Sequence, residues 1–360
     1  MIENFGGKVI TMRTEVIVLN EARNVNLTAY IQDTEGAFSY VTKRPAILIL
    51  PGGGYQYCSD READPVAMAY LKAGYQVFIL RYSVKEDAKW PNPLNDYEQA
   101  MELIRSREEE WKLYPDKVAV IGFSAGGHLA AAAATMSKNR PNAAILGYAV
   151  AGADVKACNP SAPDTIAAVD RKTCPCFLFA TRTDNLVPVL NSIKFMEALT
   201  RADVSFESHI YAYGPHGFST CDTSIQSRDT IICERVPNWV TDSIGWLRDM
   251  LGDFGDGCMT EPVCKAHVND DDEEFLSVEC SVGCILRSSK GRELVEGILA
   301  QAAGGVTGQS GNTMKFEGDM AEFISKMTLR YVMEYGNAPQ ELIEDVNRKL
   351  SGIKNEIASL

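Results

Sequence analysis

Up to about residue 250 the chain alternates short, unbroken apolar runs with longer stretches of helical spacing. "VIVLN" and "LTAYIQ" mix apolar and polar positions and predict early antiparallel strands. "PAILIL", "QVFILRYSV", "KVAVIGF", "AAILGYAVAG", "CPCFLFATRTD" and "SFESHIYAYGP" are near-continuous apolar runs and predict buried strands. Between them, "DPVAMAYLKAG" has helical spacing and a glycine stop at Gly74. "LNDYEQAMELIRSREEEWKLY" predicts an amphipathic helix ended by Pro115-Asp116, and "VPVLNSIKFMEALTRA" and "VPNWVTDSIGWLRDML" predict two more. Apolar strands each followed by a helix require a mostly parallel sheet covered on both faces. The fold class is therefore α/β, with reactive loops expected at the carboxyl ends of the strands.

The pattern changes after residue 252. Residues 253–275 read as an acidic, glycine-containing linker, and residues 276–360 as a small helical domain. Helical spacing returns in "ECSVGCILRSSKGRELVEGILAQAA", "DMAEFISKMTLRYVMEYG" and "PQELIEDVNRKLSGIKNEIASL", with "GGVTGQSGNT" as a loop. Met320, Phe323, Ile324 and Met327 form an apolar stripe expected to face a core. These C-terminal helices are candidates for homo-oligomer contacts, for shielding the site or for binding a partner.

Composition changes this picture little. The 360 residues are 46% hydrophobic and 23% charged, ordinary values for a globular chain. The net charge of −13 argues against a nucleic-acid partner, which needs a basic footprint. From Asp253 onward there are 19 acidic against 10 basic side chains, which sets that region apart. No apolar run has the length of a membrane span, and the first residues carry no secretion-signal pattern, so a cytoplasmic location is expected. The ten cysteines are then expected as thiols. Cys258, Cys264, Cys280, Cys284 and His267 loosely approach zinc-ligand spacing, but "LSVECSVGCILRS" reads as a buried helix start, so packing is expected and no metal.

The chemistry concentrates at strand ends. Gly122-Phe123-Ser124-Ala125-Gly126 is G-x-S-x-G between a strand and a helix, which makes Ser124 the candidate nucleophile on a sharp turn. Side chains at either glycine would crowd the helix against the strand. Pro51-Gly52-Gly53-Gly54-Tyr55 ends an earlier strand, and its glycines free backbone amides to converge on one point. This turn, with the amide of Ala125, is the candidate oxyanion hole. A phosphate loop would need other glycine spacing or a P-loop lysine. Of four histidines, His216 in "YGPHGFST" lies on a loop after a strand and is the candidate base. His128 is placed on the elbow helix, His209 in a strand and His267 in the linker. Asp184 in "TRTDNLVP" is the candidate orienting acid, with Asp154 its rival and Asp164 and Asp170 further off. The order Ser124, Asp184, His216 is that of the α/β-hydrolase arrangement.

Residues from about 40 to 250 resemble the α/β-hydrolase carbohydrate esterases of the acetyl-xylan esterase or xylanase-B-like kind. The matching pieces are "LPGGGY", "VFILRYSV", "PNPLNDYEQAMELIRSR", "VAVIGFSAGGHLAA", "TRTDNLVP" and "PHGF". The tri-glycine turn is also similar to the HGGG motif of hormone-sensitive-lipase-like esterases, with Pro51 where those carry histidine, and this resemblance implies Gly53 and Gly54 as the oxyanion donors alongside Ala125. The resemblance implies hydrolysis of short acyl esters, often of acetylated sugars, with no metal or organic cofactor. The expected partner is a small-molecule or oligosaccharide ester. Tyr55 and Trp90 are candidate substrate contacts, and Tyr57 and Trp239 complete a candidate aromatic platform, with core or helix packing expected for at least half of the four. "ADVKACNPSAPDTIAAVDRKT" is the largest candidate wall, and no inserted helical lid is visible. Two other readings stand beside this one. A dipeptidyl or acylaminoacyl peptidase shares the elbow and triad order, but would bring a propeller or an amine-binding glutamate pair, and the sequence displays neither. A binding module on the same fold would be expected to lack one of the three residues.

Overall fold

The computed structural model describes residues 12–34, 38–295 and 319–355. The chain divides into two compact units, residues 1–266 and 267–360. The division falls later than the compositional break at 252. Residues 253–266 are held by the first unit: the amides of Val263 and Cys264 donate to the Asp249 carbonyl at 2.8 and 2.9 Å, and the Ser205 amide to Ala266 at 2.9 Å.

The first unit is built on an eight-stranded sheet. Its strands are β1 (Arg13–Asn20), β2 (Val25–Ile31), β3 (Arg44–Leu50), β4 (Gln76–Arg81), β5 (Leu113–Phe123), β6 (Ala143–Gly147), β7 (Cys176–Thr181) and β8 (Phe206–Tyr211). Their order is β1-β2-β4-β3-β5-β6-β7-β8. β1 and β2 are antiparallel to their neighbours, whereas β3 to β8 run parallel. The helices are α1 (Asp64–Lys72), α2 (Asn92–Ser106), the short α3 (Glu108–Trp111), α4 (Ser124–Met136), α5 (Leu190–Arg201) and α6 (Asn238–Leu251).

Strand periodicity splits the core into two layers. Leu48 and Leu50, Phe78 and Leu80, and Val118 and Val120 join Tyr97, Met101, Leu129 and Phe195 on one face. Ile47 and Ile49, Val77 and Ile79, and Ala119 and Ile121 join Tyr70, Trp239 and Leu247 on the other. Both faces being covered explains why the parallel strands read as continuous apolar runs. On β2 only alternate residues are fully buried, and at the edge of the sheet Val16 and Val18 of β1 are exposed.

One predicted helix boundary moves. The amphipathic pattern breaks at Arg107 and Lys112, the latter at φ 50°, and β5 already begins at Leu113. Pro115-Asp116 sits inside β5, where the pairing with β3 jumps from Leu113 to Val118. A proline there removes no ladder hydrogen bond.

The second unit has its own core, including Leu276, Val278, Cys280, Val282, Ile285, Leu329, Met333, Ile343, Val346 and Leu350. Its helices are shorter than the periodicity predicts. Ser281 caps the turn Val282–Ile285, and residues 289–295 form a separate helical segment. "DMAEFISKMTLRYVMEYG" divides into Asp319–Ser325 and Leu329–Tyr335, because the Thr328 side chain accepts the Tyr331 amide and starts a new helix. The apolar stripe therefore does not continue: Phe323 is exposed, whereas Leu329 and Met333 are buried. The side chain of Met320 lies outside the described residues. Among the described residues no helix is long and apolar enough to cross a membrane.

Candidate active site

The sharp turn from β5 into α4 places Ser124 at φ 53°, left-handed for a residue that is not glycine. Such strain persists only where the surroundings enforce it. Here the two flanking glycines do so. A Cβ on Gly122 would lie 2.1 Å from the Gly126 carbonyl oxygen, and one on Gly126 would lie 2.1 Å from that of Leu50. The glycines let α4 press against β3 and β5, and the run Leu129–Ala134 keeps the interface thin enough to be wholly buried.

The loop after β8 brings His216 to the serine. Its Nε2 lies 2.8 Å from Ser124 Oγ, and its Nδ1 lies 2.7 Å from Asp184 Oδ2. The Asp184 side chain is fully buried on the loop after β7, and its Oδ1 accepts the amides of Leu186 and Val187, each at 2.8 Å. An ionised carboxylate only accepts, so the imidazole proton sits on Nδ1 and the Nε2 lone pair faces the serine hydroxyl. Asp154 instead accepts from Asn191 Nδ2, Asp164 from the amides of Ile166 and Ala167, and Asp170 from Arg140.

The glycine turn closes beside this line. Gly53 has φ 130° and Gly54 φ 62°, and a Cβ on Gly53 would meet the Tyr57 carbonyl oxygen at 2.1 Å. Only glycine fits there. The Gly53 carbonyl accepts the Gln56 amide and that of Gly52 the Ser59 amide, while the Tyr82 hydroxyl donates to the Pro51 carbonyl at 2.6 Å. Among the described residues the amides of Gly53 and Gly54 donate to no protein acceptor. Ala125 is the second residue of α4, where an amide has no partner within its helix.

The aromatic expectations divide. Tyr55 is fully buried and its hydroxyl lies 2.7 Å from His128 Nδ1, so the ring faces protein rather than ligand. Trp239 is core as well, stacked on Phe179 at 4.2 Å. Trp90 is half-buried and packs edge-to-face with His128, ring centroids 5.6 Å apart, and Tyr57 is exposed. Both nitrogens of buried His128 are occupied, Nε2 by the Pro163 carbonyl at 2.9 Å, and burial pushes the imidazole down to about 4. The neutral ring thereby pins the wall loop onto the elbow helix. That loop is further tied by Asn159 to the Ala88 carbonyl and by Ser161 Oγ to the Trp90 amide.

Sequence reasoning missed Glu62. This buried carboxylate accepts the Gly52 amide at 2.8 Å and the Tyr148 hydroxyl at 2.6 Å. A glutamate in "SDREADP" reads as an ordinary helix-start acid, and no local signal announces its burial.

For metals, Cys258 and Cys264 belong to the first unit, and Cys280 and Cys284 to the second. In the second unit the ligand atoms of Asp271, Cys280 and Cys284 lie within 4.8 Å of one another. Both Asp271 oxygens already accept from Ser281, its amide at 2.6 Å and its hydroxyl at 2.7 Å, so the carboxylate caps a turn.

Comparison with known proteins agrees with the resemblance drawn from the motifs. The BD-FAE family model matches residues 38–142. Endo-1,4-beta-xylanase B of Butyrivibrio fibrisolvens is 28% identical over 228 residues, 55% of this chain and 35% of that protein. An acetylxylan esterase of Xylanibacter ruminicola is 31% identical over 196 residues, 48% of this chain and 41% of that protein. The chain thus spans well under half the length of these two curated relatives. Among solved structures, MGS-M1, an alpha/beta hydrolase enzyme from a Medee basin deep-sea metagenome library, is 43% identical. The match covers 67% of this chain and 98% of that one, with a TM-score of 0.63.

Proposed function

The chain belongs to the α/β-hydrolase family, and from that premise we propose that it is a carboxylic ester hydrolase acting through an acyl-enzyme on Ser124. The observation that carries this reading is the hydrogen-bonded line Ser124 Oγ–His216 Nε2 at 2.8 Å and His216 Nδ1–Asp184 Oδ2 at 2.7 Å. His216 takes the serine proton as Oγ attacks the ester carbonyl, and returns it to the leaving alcohol. A water, deprotonated by the same nitrogen, then releases the acid. Asp184 holds the ring and favours its imidazolium form. Developing charge on the carbonyl oxygen meets the amides of Gly53, Gly54 and Ala125, each such donor typically contributing about 3 kcal/mol in a transition state.

The substrate class we propose is a short acyl group on a sugar alcohol, acetyl on xylo-oligosaccharides foremost. Support comes from the acetylxylan esterase relative, from exposed Tyr57 at the glycine turn and from half-buried Trp90 beside His128. A panel of chromogenic acetate, butyrate and ferulate esters with acetylated xylo-oligosaccharides, run beside Ser124→Ala, tests it. Acetate esters are expected to turn over fastest, with no turnover by the variant. Preference for long acyl chains would refute the substrate class, and activity in Ser124→Ala the mechanism.

A further inference from the structure

The mechanism above leaves Glu62 unused, although an acid this buried is costly unless its oxygens are bonded. Its two oxygens reach in different directions. Oε2 accepts the Gly52 amide at 2.8 Å, at the foot of the glycine turn. Oε1 accepts the Tyr148 hydroxyl at 2.6 Å, and the same hydroxyl oxygen accepts the Ser219 amide at 3.1 Å, in the loop that carries His216. The neighbouring Arg61 doubles the link. Its guanidinium donates to the Gly217 carbonyl at 3.0 Å, and its own carbonyl accepts the Ser219 hydroxyl. The fit around the acid is tight, since a Cβ on Gly52 would lie 2.7 Å from Glu62 Oε2.

The Gly52 amide can only donate, so Oε2 carries no proton in that bond. Burial pushes the carboxyl above the usual carboxylate range, opposed by Tyr148, the Gly52 amide, His216 and Arg61. The groups that face it are Tyr148 and His216 from the loops after β6 and β8, Arg61 beside it, and Cys58 and Tyr82 across the turn. The Tyr148 ring also stands edge-on to the His216 imidazole, with centroids 5.0 Å apart.

We propose that Arg61 and Glu62 form a clasp that sets the oxyanion turn and the His216 loop at a fixed separation. Glu62 acts as a positioning residue whose charge, together with that of Asp184, favours the imidazolium. The proposal rests on the reading of Ser124 and His216 as nucleophile and base. No sequence motif used above contains this pair.

The test uses the full-length chain and a chromogenic acetate ester, below the melting temperature of each variant. Glu62→Gln offers one acceptor to two donors, and kcat is expected to fall about 100-fold with a smaller change in KM, as displacement of about 1 Å does elsewhere. Loss of the charge should also move the acid limb of kcat/KM to lower pH. Glu62→Asp keeps the charge but is one methylene too short to reach both donors, so its kcat should be low with the acid limb where the wild type has it. Tyr148→Phe keeps the ring and removes the bridge, and about a tenfold loss of kcat is expected. Wild-type kcat and an unmoved acid limb in Glu62→Gln, or wild-type kcat in Tyr148→Phe, would overturn the clasp provided Ser124→Ala is inactive. An active Ser124→Ala would instead overturn the reading on which it rests.

Discussion

The turn from β5 into α4 and the helices of the second unit differ in what fixes their ends. At the β5–α4 turn, Gly122 and Gly126 have one steric solution, because any Cβ would enter a backbone oxygen. In the second unit, the helix capped by Ser281 stops at Ile285 and Thr328 starts a new helix, both inside stretches whose spacing predicts unbroken ones. A hydrophobic period gives a face to a helix but does not say where the helix stops. A glycine that must touch backbone fixes a place in space.

Ser124→Ala should widen this contrast most. A loss of at least about 10⁴-fold in kcat is expected with the melting temperature little changed, since on the proposed mechanism the hydroxyl serves the chemistry and not the packing. Single-turnover kinetics with an acetate ester would check it, and residual acyl-enzyme would remove the elbow's special status. In the second unit the balance should reverse. Leu329 is fully buried there, so Leu329→Ala is expected to cost about 2–5 kcal/mol in that unit while kcat stays unchanged. Hydrogen exchange resolved by segment would follow the unit separately. Protection lost equally in both units would refute a role for Leu329 confined to the core of its own unit.

A smaller effect is expected from pH. His128 titrates near 4 when folded against 6.5 when free. Between those values the unfolded chain binds a proton that the folded chain refuses, so stability falls as pH drops through that window, by up to about 3 kcal/mol. His128→Gln can still accept from Tyr55 and donate to Pro163. Its urea midpoint should therefore depend less on pH between 6.5 and 4 than that of the wild type, and parallel curves would exclude His128 as the source. The smallest effect is expected from truncation after Ala266, which leaves Ser124, Asp184, His216 and both sheet layers intact. Steady-state kcat/KM should stay within about twofold, and a larger loss would assign the second unit a part in the reaction.

Legibility followed the same division. The sheet was readable because strands covered on two faces leave continuous apolar runs, as in β3, β4 and β7. Ser124, His216 and Asp184 stand out in the sequence because each follows a strand end, and the structure brings these three side chains into hydrogen-bond reach. Tyr55 looked like a ligand platform because sequence carries no sign of the Tyr55–His128 hydrogen bond that buries it. Glu62 was invisible for the converse reason: its partners Gly52, Tyr148 and Ser219 are brought together only by the folded sheet. Residues 253–266 looked like a linker on composition alone, while the carbonyls that anchor them to the first unit leave no trace in side-chain chemistry.

The burial of α4 has a consequence for anyone redesigning substrate scope. From Ser124 to Thr135 every side chain on that helix is enclosed, so variation there spends a library on misfolded protein. On the proposed mechanism the accessible choices lie off that helix, at exposed Tyr57 and half-buried Trp90. Selection for new esters should collect its substitutions there and leave the alanine run untouched.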